Sequence, residues 1–479
     1  MNKTKKNIIL QTLYQIITTI TPLITAPYLS RTLGAKSLGD YSYSFSIVNY
    51  FILFSMLGFV NYGTRTIASL KSDVQKDNAF WSIYYLQLFS CVISSIIYFF
   101  VLIFNHNNIF LLCQFFWLLS CFFDVTWFYF GKEDFKTTVI RNLLFKIVTI
   151  ILIFIFVKSS SDLTKYILIL SCGTLTSQFT LWIMLIGKNA PKKIKYKDII
   201  IHLKPVLILF VPILSMSVYH IMDKTMFGLF SSAIQSGFYY NADKVINIPL
   251  CIFTGIGTVM LPTISSLLSK NEVIKAKMYI QKSIKYLLCF SIAITFGLVG
   301  ISKDFVPFFF GDGYDQCIIL IKLLSVVLIF KSMSDIIRTQ YMIPFKKEKY
   351  FVFSVVLGAI TNFLCNILFI SFFKMGALGA TIGTIIAEVV VCFSQFLFIM
   401  KEFNILKDFF QGLIFLPIGF IMMIVISFLS SLSCNVILKL FLEISLGGLL
   451  YLTGSFIILF LKKADLVINL FSKFKNKKI

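Results

Sequence analysis

Long apolar runs follow one another along this chain, and no other property of the sequence restricts its fold so sharply. A helix rises about 1.5 Å per residue, so some 20 apolar residues cross a hydrocarbon layer about 30 Å thick. Fourteen stretches meet that length, near 8–30, 40–63, 79–104, 109–130, 139–157, 163–187, 204–226, 237–262, 283–307, 316–340, 350–373, 377–400, 410–431 and 436–461. The first, seventh, eighth and tenth are the most polar. Of 479 residues, 58% are hydrophobic and only 14% charged, against about 45–50% and about 25% in soluble domains. A soluble enzyme, a disordered tail and a secreted disulfide scaffold are excluded. The expectation is an all-α integral membrane protein of about 14 transmembrane helices. The basic start, MNKTKK, leads into a run too long for a signal peptide and without an A-x-A site, so it reads as an uncleaved first span.

The net charge is +23, from 44 basic and 21 acidic residues. Nucleic acid is one partner for such an excess, but only four of the basic residues are arginine (Arg31, Arg65, Arg141 and Arg338), and phosphate-reading surfaces favour arginine forks. Their positions argue for a membrane instead. With the N-terminus placed in the cytoplasm and the spans alternating, 33 of the 44 basic residues fall on the cytoplasmic side. An even span count returns the basic C-terminus to that side. Both termini are expected in the cytoplasm of a bacterial plasma membrane protein, with no nucleic-acid partner. Connecting loops are too short for a soluble catalytic domain, so the chain is not expected to be an enzyme.

The ten cysteines form no CxxC pair and read as apolar filler. The three histidines are too scattered for a metal cluster, and no metal or catalytic residue is assigned. Ionisable residues within spans carry more information, because facing lipid costs several kcal/mol. Glu388 lies near mid-depth of span twelve without a partner nearby in sequence, and Lys331 lies at similar depth in span ten. Lys331, Asp335 and Arg338 share a helix face at i, i+4 and i+7, where a Lys331–Asp335 salt bridge is the structural alternative to a functional role. Asp124 falls in the inner half of span four, where capping or pairing with Lys132 or Lys136 is the structural alternative. Asp223 and Lys224 end span seven, Asp243 and Lys244 open span eight, and Arg31 and Arg65 end spans one and two. Polar stripes such as Gln11–Tyr14–Gln15–Thr18 and Tyr43–Ser44–Ser46–Asn49–Tyr50 suit a hydroxyl-lined wet cavity or interhelical hydrogen bonding.

A weak internal repeat is visible. LGAKSLGDYSYSFSIVNY from Leu33 and FGLFSSAIQSGFYYNADKVINIPL from Phe227 each run glycine, short polar loop, glycine, aromatics. Gly39–Asp40–Tyr41 aligns with Gly237–Phe238–Tyr239, and Pro22 with Pro212. The repeat fits duplicated six-span lobes, 1–187 and 204–400, joined by a cytoplasmic linker at 188–203. Residues 401–479 then add two further transmembrane helices and a basic cytoplasmic tail.

Four blocks resemble bacterial polysaccharide-unit flippases of the Wzx type: TPLITAPYLSRTLGAKSLGDYSY (21–43), FDVTWFYFGKEDFKTTVIRN (123–142), the stretch from SVYHIMDKTMFG to VMLPTISS (217–266), and RTQYMIPFKKEKYF (338–351). The chain departs from that family in being poor in arginine. The resemblance implies the fold of the multidrug/oligosaccharidyl-lipid/polysaccharide exporter superfamily, two six-helix lobes around a central cavity. It implies translocation of an undecaprenyl-pyrophosphate-linked oligosaccharide to the outer leaflet by alternating access, for capsule, O-antigen-like or exopolysaccharide assembly. On that reading Arg31, Arg65 and Lys224 hold the pyrophosphate at different stages, and Lys331 meets it or an acidic sugar at mid-depth. Glu388, with Asp124 or Asp243, carries a coupled proton or sodium ion. No other cofactor is expected. Partners are membrane lipids, a polysaccharide polymerase and glycosyltransferases. Two alternatives share the architecture, a cation-coupled drug or metabolite antiporter and a peptidoglycan-precursor flippase. A membrane polymerase would need a long outer loop, and a scaffold would not need intramembrane charge.

Overall fold

A computed structural model of the chain describes residues 3–105, 108–187, 192–400, 402 and 405–461. The expected basic tail at 462–479 and the start of the expected linker, 188–191, lie outside the described residues. Among the described residues all regular structure is helical. Lipid offers the backbone no hydrogen-bond partners, so each span must satisfy its own N–H and C=O groups. The helices are α1 (Lys3–Met56), α2 (Phe59–Ser69), α3 (Asp73–Phe104), α4 (Ile109–Ser120), α5 (Thr126–Gly131), α6 (Phe135–Phe156), α7 (Leu163–Ile186), α8 (Tyr196–Ile200) and α9 (Leu203–Phe230). They continue as α10 (Ala233–Ser269), α11 (Val273–Phe310), α12 (Asp315–Leu324), α13 (Val327–Ile336), α14 (Glu348–Asn366), α15 (Gly376–Ile399), α16 (Ile405–Gly412), α17 (Leu416–Leu429) and α18 (Val436–Leu461).

Twelve described helical stretches are long and apolar enough to cross a membrane. One of them, Ile20–Ser69, contains the end of the first expected span and all of the second. The 28-residue α9 stands where the seventh was expected. The chain is therefore a multi-pass helical membrane protein. Large apolar side chains such as Phe89, Phe104, Ile151, Phe428 and Leu452 stand exposed on the helix surfaces. In water such surface would drive aggregation; against acyl chains it is solvated.

The structure corrects the repeat as read from sequence. The loop expected between the first two spans is reduced to a kink at Gly34, where φ is 76° and ψ 169° and two helices meet. Only glycine takes that conformation without strain. Gly39 and Gly237 are helical rather than loop residues. A Cβ on Gly39 would collide with the Ala233 carbonyl, and one on Gly237 with the Ala35 carbonyl. The two aligned glycines thus let α1 and α10 cross at backbone contact, the kind of close approach that small residues allow where no hydrophobic effect drives helices together. Span ten is also broken, into α12, α13 and a π-helical turn at Ile337–Met342.

By packing, the chain divides into two compact units, Met1–Tyr240 with Phe363–Ala380, and Asn241–Asn362 with Thr381–Ile479. The first therefore includes α9, which the six-plus-six expectation assigns to the second lobe. Within the first unit α1 packs on α3, α4, α6 and α9, α4 on α7, and α2 on α5. Within the second, α11 is the hub, packed by α12, α13, α16, α17 and α18. Gly300 of α11 and Gly447 of α18 both close on Ile426 of α17, where an added Cβ would stand 2.9 and 2.7 Å from its side chain.

Candidate functional site

The first unit gathers polar side chains from α1, α9 and α10 in an otherwise apolar body. Asp223 is buried on α9. Its Oδ2 accepts from the Tyr239 hydroxyl at 2.8 Å and its Oδ1 from Asn366 Nδ2 at 2.5 Å. Both of these donors are uncharged. One residue on, Lys224 places its ammonium 5.7 Å from the centre of the Tyr240 ring, a cation–π contact. Tyr240 meets Tyr41 edge to face, and Tyr41 meets Tyr166 the same way. Thr225 donates to Ser46 at 3.0 Å, and Ser46 to the Tyr43 carbonyl at 2.7 Å. Gln114 donates to Ser44 at 3.4 Å. The polar stripe at residues 43–50 therefore makes interhelical hydrogen bonds. Its partner Thr225 lies two residues from an acid, Asp223, that was not placed among the candidate site residues. Its sequence signal was present, an Asp–Lys pair late in a polar span, but nothing local distinguished the acid from the lysine.

In the second unit two of the acids within the spans are paired with cations. Glu388, 5% exposed at the middle of α15, faces Lys331 of α13 at 3.5 Å. Asp335 pairs with Arg338 at 2.9 Å, and Arg338 lies over Phe351. The structural alternative, a Lys331–Asp335 pair, is not what forms: Arg338, on the same face, takes Asp335, while a neighbouring helix supplies the acid for Lys331. Next to these pairs the π turn carries Gln340, fully buried with neither amide atom hydrogen-bonded. π turns recur at functional sites. Gln340 was missed because a lone glutamine in an apolar run has no distinguishing pattern.

The remaining candidates are dispersed. Arg31 and Arg65 are exposed on α1 and α2. Asp243 accepts from Asn247 Nδ2 at 2.9 Å, one turn along its own helix. Asp124 accepts from the Thr126 amide at 3.0 Å and from its hydroxyl, a local turn that starts α5. The fully buried Gln87 fixes the same corner. Its amide donates to the Cys121 and Asp124 carbonyls and accepts from the Trp127 indole, each at 2.9 Å. A Cβ on Gly63 would strike the Trp127 ring. The Asp–Val–Thr–Trp block is thus built into the α2–α5 contact. Lys132, a suggested partner of Asp124, lies 3.8 Å from Asp77 instead.

Outside the spans, His202 uses both ring nitrogens. Nδ1 lies 2.6 Å from the Tyr62 hydroxyl and Nε2 2.9 Å from the Ser82 hydroxyl. The residue ties α2 and α3 to the start of α9. Burial holds this imidazole below the ordinary histidine range, against the opposing pull of Asp198.

Residues 4–268 match the family described as "Polysaccharide biosynthesis protein". A protein of Escherichia coli (strain K12) named as an O-antigen transporter is 23% identical over 405 residues, covering 83% of this chain and 97% of the relative. One of Shigella dysenteriae with the same name is 25% identical over 399 residues, covering 81% and 98%. Among solved structures, the lipid II flippase MurJ in its inward closed conformation superposes with a TM-score of 0.76 at 19% identity, covering 94% of this chain and 99% of that one. An inward-facing multidrug resistance MATE transporter of the MOP superfamily gives 0.64 at 14% identity, covering 84% and 99%. The fold is that of these exporters.

Proposed function

Because the chain belongs to the polysaccharide biosynthesis protein family, we propose that it flips an undecaprenyl-pyrophosphate-linked oligosaccharide from the cytoplasmic to the outer leaflet by alternating access. It sits in the bacterial inner membrane with both termini in the cytoplasm, where the basic loops belong. The observation that carries this reading is the hydroxyl- and amide-rich cluster around Asp223 and Lys224 within a membrane-spanning body. Sugars offer hydroxyls that exchange hydrogen bonds with such groups. They cannot cross about 30 Å of hydrocarbon unaided.

In this reading Lys224, Arg31 and Arg65 meet the pyrophosphate, because a desolvated phosphate needs charge-assisted donors. Lys331 is held by Glu388 until an anionic group competes for it, and the freed Glu388 then takes a proton or a sodium ion. Asp243 retains a secondary place in that coupling. Asp124 has the weakest claim, since its carboxylate already serves the α5 turn. A polymerase and glycosyltransferases would receive and supply the substrate.

The test reconstitutes the purified chain in liposomes with a fluorescent lipid-linked oligosaccharide and follows its protection from an external quencher. Faster flipping than in protein-free liposomes, weakened by Lys224→Gln, is expected. Transport of a lipophilic cation with no flipping would overturn the reading in favour of a drug antiporter. Flipping of lipid II in preference to the oligosaccharide would overturn it in favour of a peptidoglycan-precursor flippase.

A further inference from the structure

A groove of about 560 Å³ runs among α10, α11, α17 and α18 of the second unit. Its wall is apolar, with Phe253, Phe290, Leu298, Met422 and Leu452 prominent, and it carries two polar side chains, Glu443 and Tyr451. The Tyr451 hydroxyl donates to the Cys289 carbonyl at 2.7 Å. Glu443 is completely buried, and neither of its carboxyl oxygens receives a hydrogen bond. Its neighbour is another acid, because the Asp304 carboxyl of α11 lies within hydrogen-bonding reach. Lys439, one turn before Glu443, turns to Asp304 instead. Its ammonium lies 3.2 Å from Asp304 Oδ1 and 3.1 Å from the Ser430 carbonyl. The other Asp304 oxygen has no donor. Among the described residues no further charged group faces Glu443: α17 carries no ionisable residue, and the α10 residues in the groove are apolar.

Two adjoining carboxyls, one fully buried and one partly buried, therefore have a single lysine near them, and it is taken by Asp304. An ionised carboxylate only accepts, so two of them in contact have nothing to share. Like charges a few ångströms apart do not both ionise in an apolar site. A proton on one turns the contact into a hydrogen bond and removes the uncompensated charge.

We propose that Glu443 is a proton-binding site, its proton shared with Asp304, while Asp304 remains the anion paired with Lys439. The bound proton keeps the groove wall neutral and dry. Release breaks the Glu443 O–H bond, passes the proton to a water entering the groove and leaves one net negative charge on the three side chains. The site gates hydration of the groove by α17 and α18 and is independent of what the protein transports.

The experiment uses the full chain in lipid nanodiscs. Infrared difference spectra between about pH 5 and about pH 9 should contain a protonated-carboxyl C=O band that titrates and is missing in Glu443→Gln. Dicyclohexylcarbodiimide, which adds to protonated carboxyls in apolar surroundings, should label Glu443 roughly tenfold more than a water-soluble carbodiimide, a difference of about 1.4 kcal/mol. Glu443→Gln imitates the neutral acid and should unfold within a few degrees of the parent. Identical spectra for parent and Glu443→Gln would overturn the proposal. So would labelling of Glu443 only after denaturation, or a large loss of thermal stability in Glu443→Gln.

Discussion

The two compact units keep acids in the membrane by different means. In the first, the Asp223 carboxylate takes hydrogen bonds from a phenol and an amide. In the second, Glu388 and Asp304 each meet a lysine from another helix, and Asp335 an arginine of its own. Neutral donors solvate an anion and leave its field intact. A cation cancels the field and depends on a distant helix to do so. The first arrangement solvates an acid with dipoles. The second suits a group released only when its partner is drawn away.

The largest expected effect tests the second arrangement. Lys331→Ala removes the ammonium that faces Glu388, and losing one partner of a buried pair costs about 3–5 kcal/mol. Thermal unfolding in detergent should show that loss, while Lys331→Met with Glu388→Leu should recover most of the stability. If the double variant also exports polymer at the parental rate, the pair is scaffolding only, and the contrast between the units loses its functional meaning.

Asp223→Ala removes the acceptor of two hydrogen bonds to a charged group and should cost about 2–3 kcal/mol. Asp223→Asn keeps most of the shape and loses the charge. It should fold nearly as well as the parent yet export poorly. Normal export by Asp223→Asn would place the value of Asp223 in its hydrogen bonds alone.

Gly39→Ala drives a methyl into the Ala233 carbonyl. Overpacking of this kind costs about 1–3 kcal/mol. Crosslinking yield between cysteines placed on α1 and α10 should fall with it, and an unchanged yield would mean the backbone contact is not made in the membrane.

The smallest effect lies at His202. Its folded-state affinity for a proton is depressed by burial, so an opened form takes up a proton more readily than the closed one. The Tyr62–His202–Ser82 latch therefore contributes fully above the ordinary histidine value of about 6.5 and weakens as pH falls through its lowered one. Amide exchange in α2 and the start of α3 should quicken on acidification in the parent. The same segments in His202→Gln should show no such pH dependence.

Much of the helical plan could be read in advance, because hydropathy is a property of consecutive residues. Each of the fourteen expected stretches coincides with helix. The aligned glycines at 39 and 237 were recognised as equivalent, although their role as contact points was not. Lys331 and Glu388 were singled out by depth alone. What stayed hidden was partnership. Lys331 has an acid four residues away and pairs with another 57 residues on. Lys439 stands four residues before Glu443 and pairs with Asp304. Such choices depend on how far each helix is rotated about its axis and where it crosses its neighbours.

The sequence by itself determined that the chain must lie in a membrane as helices, since no other state accommodates so much apolar surface with its backbone satisfied. Only the tertiary structure decided that two helices meet in a kink at Gly34, that Tyr239 and Asn366 donate to Asp223, and that Glu443 faces another acid. Burial in lipid acts on each residue according to its own chemistry. A hydrogen bond or ion pair acts between residues that chain order need not bring near, and only the packed helices bring them within reach.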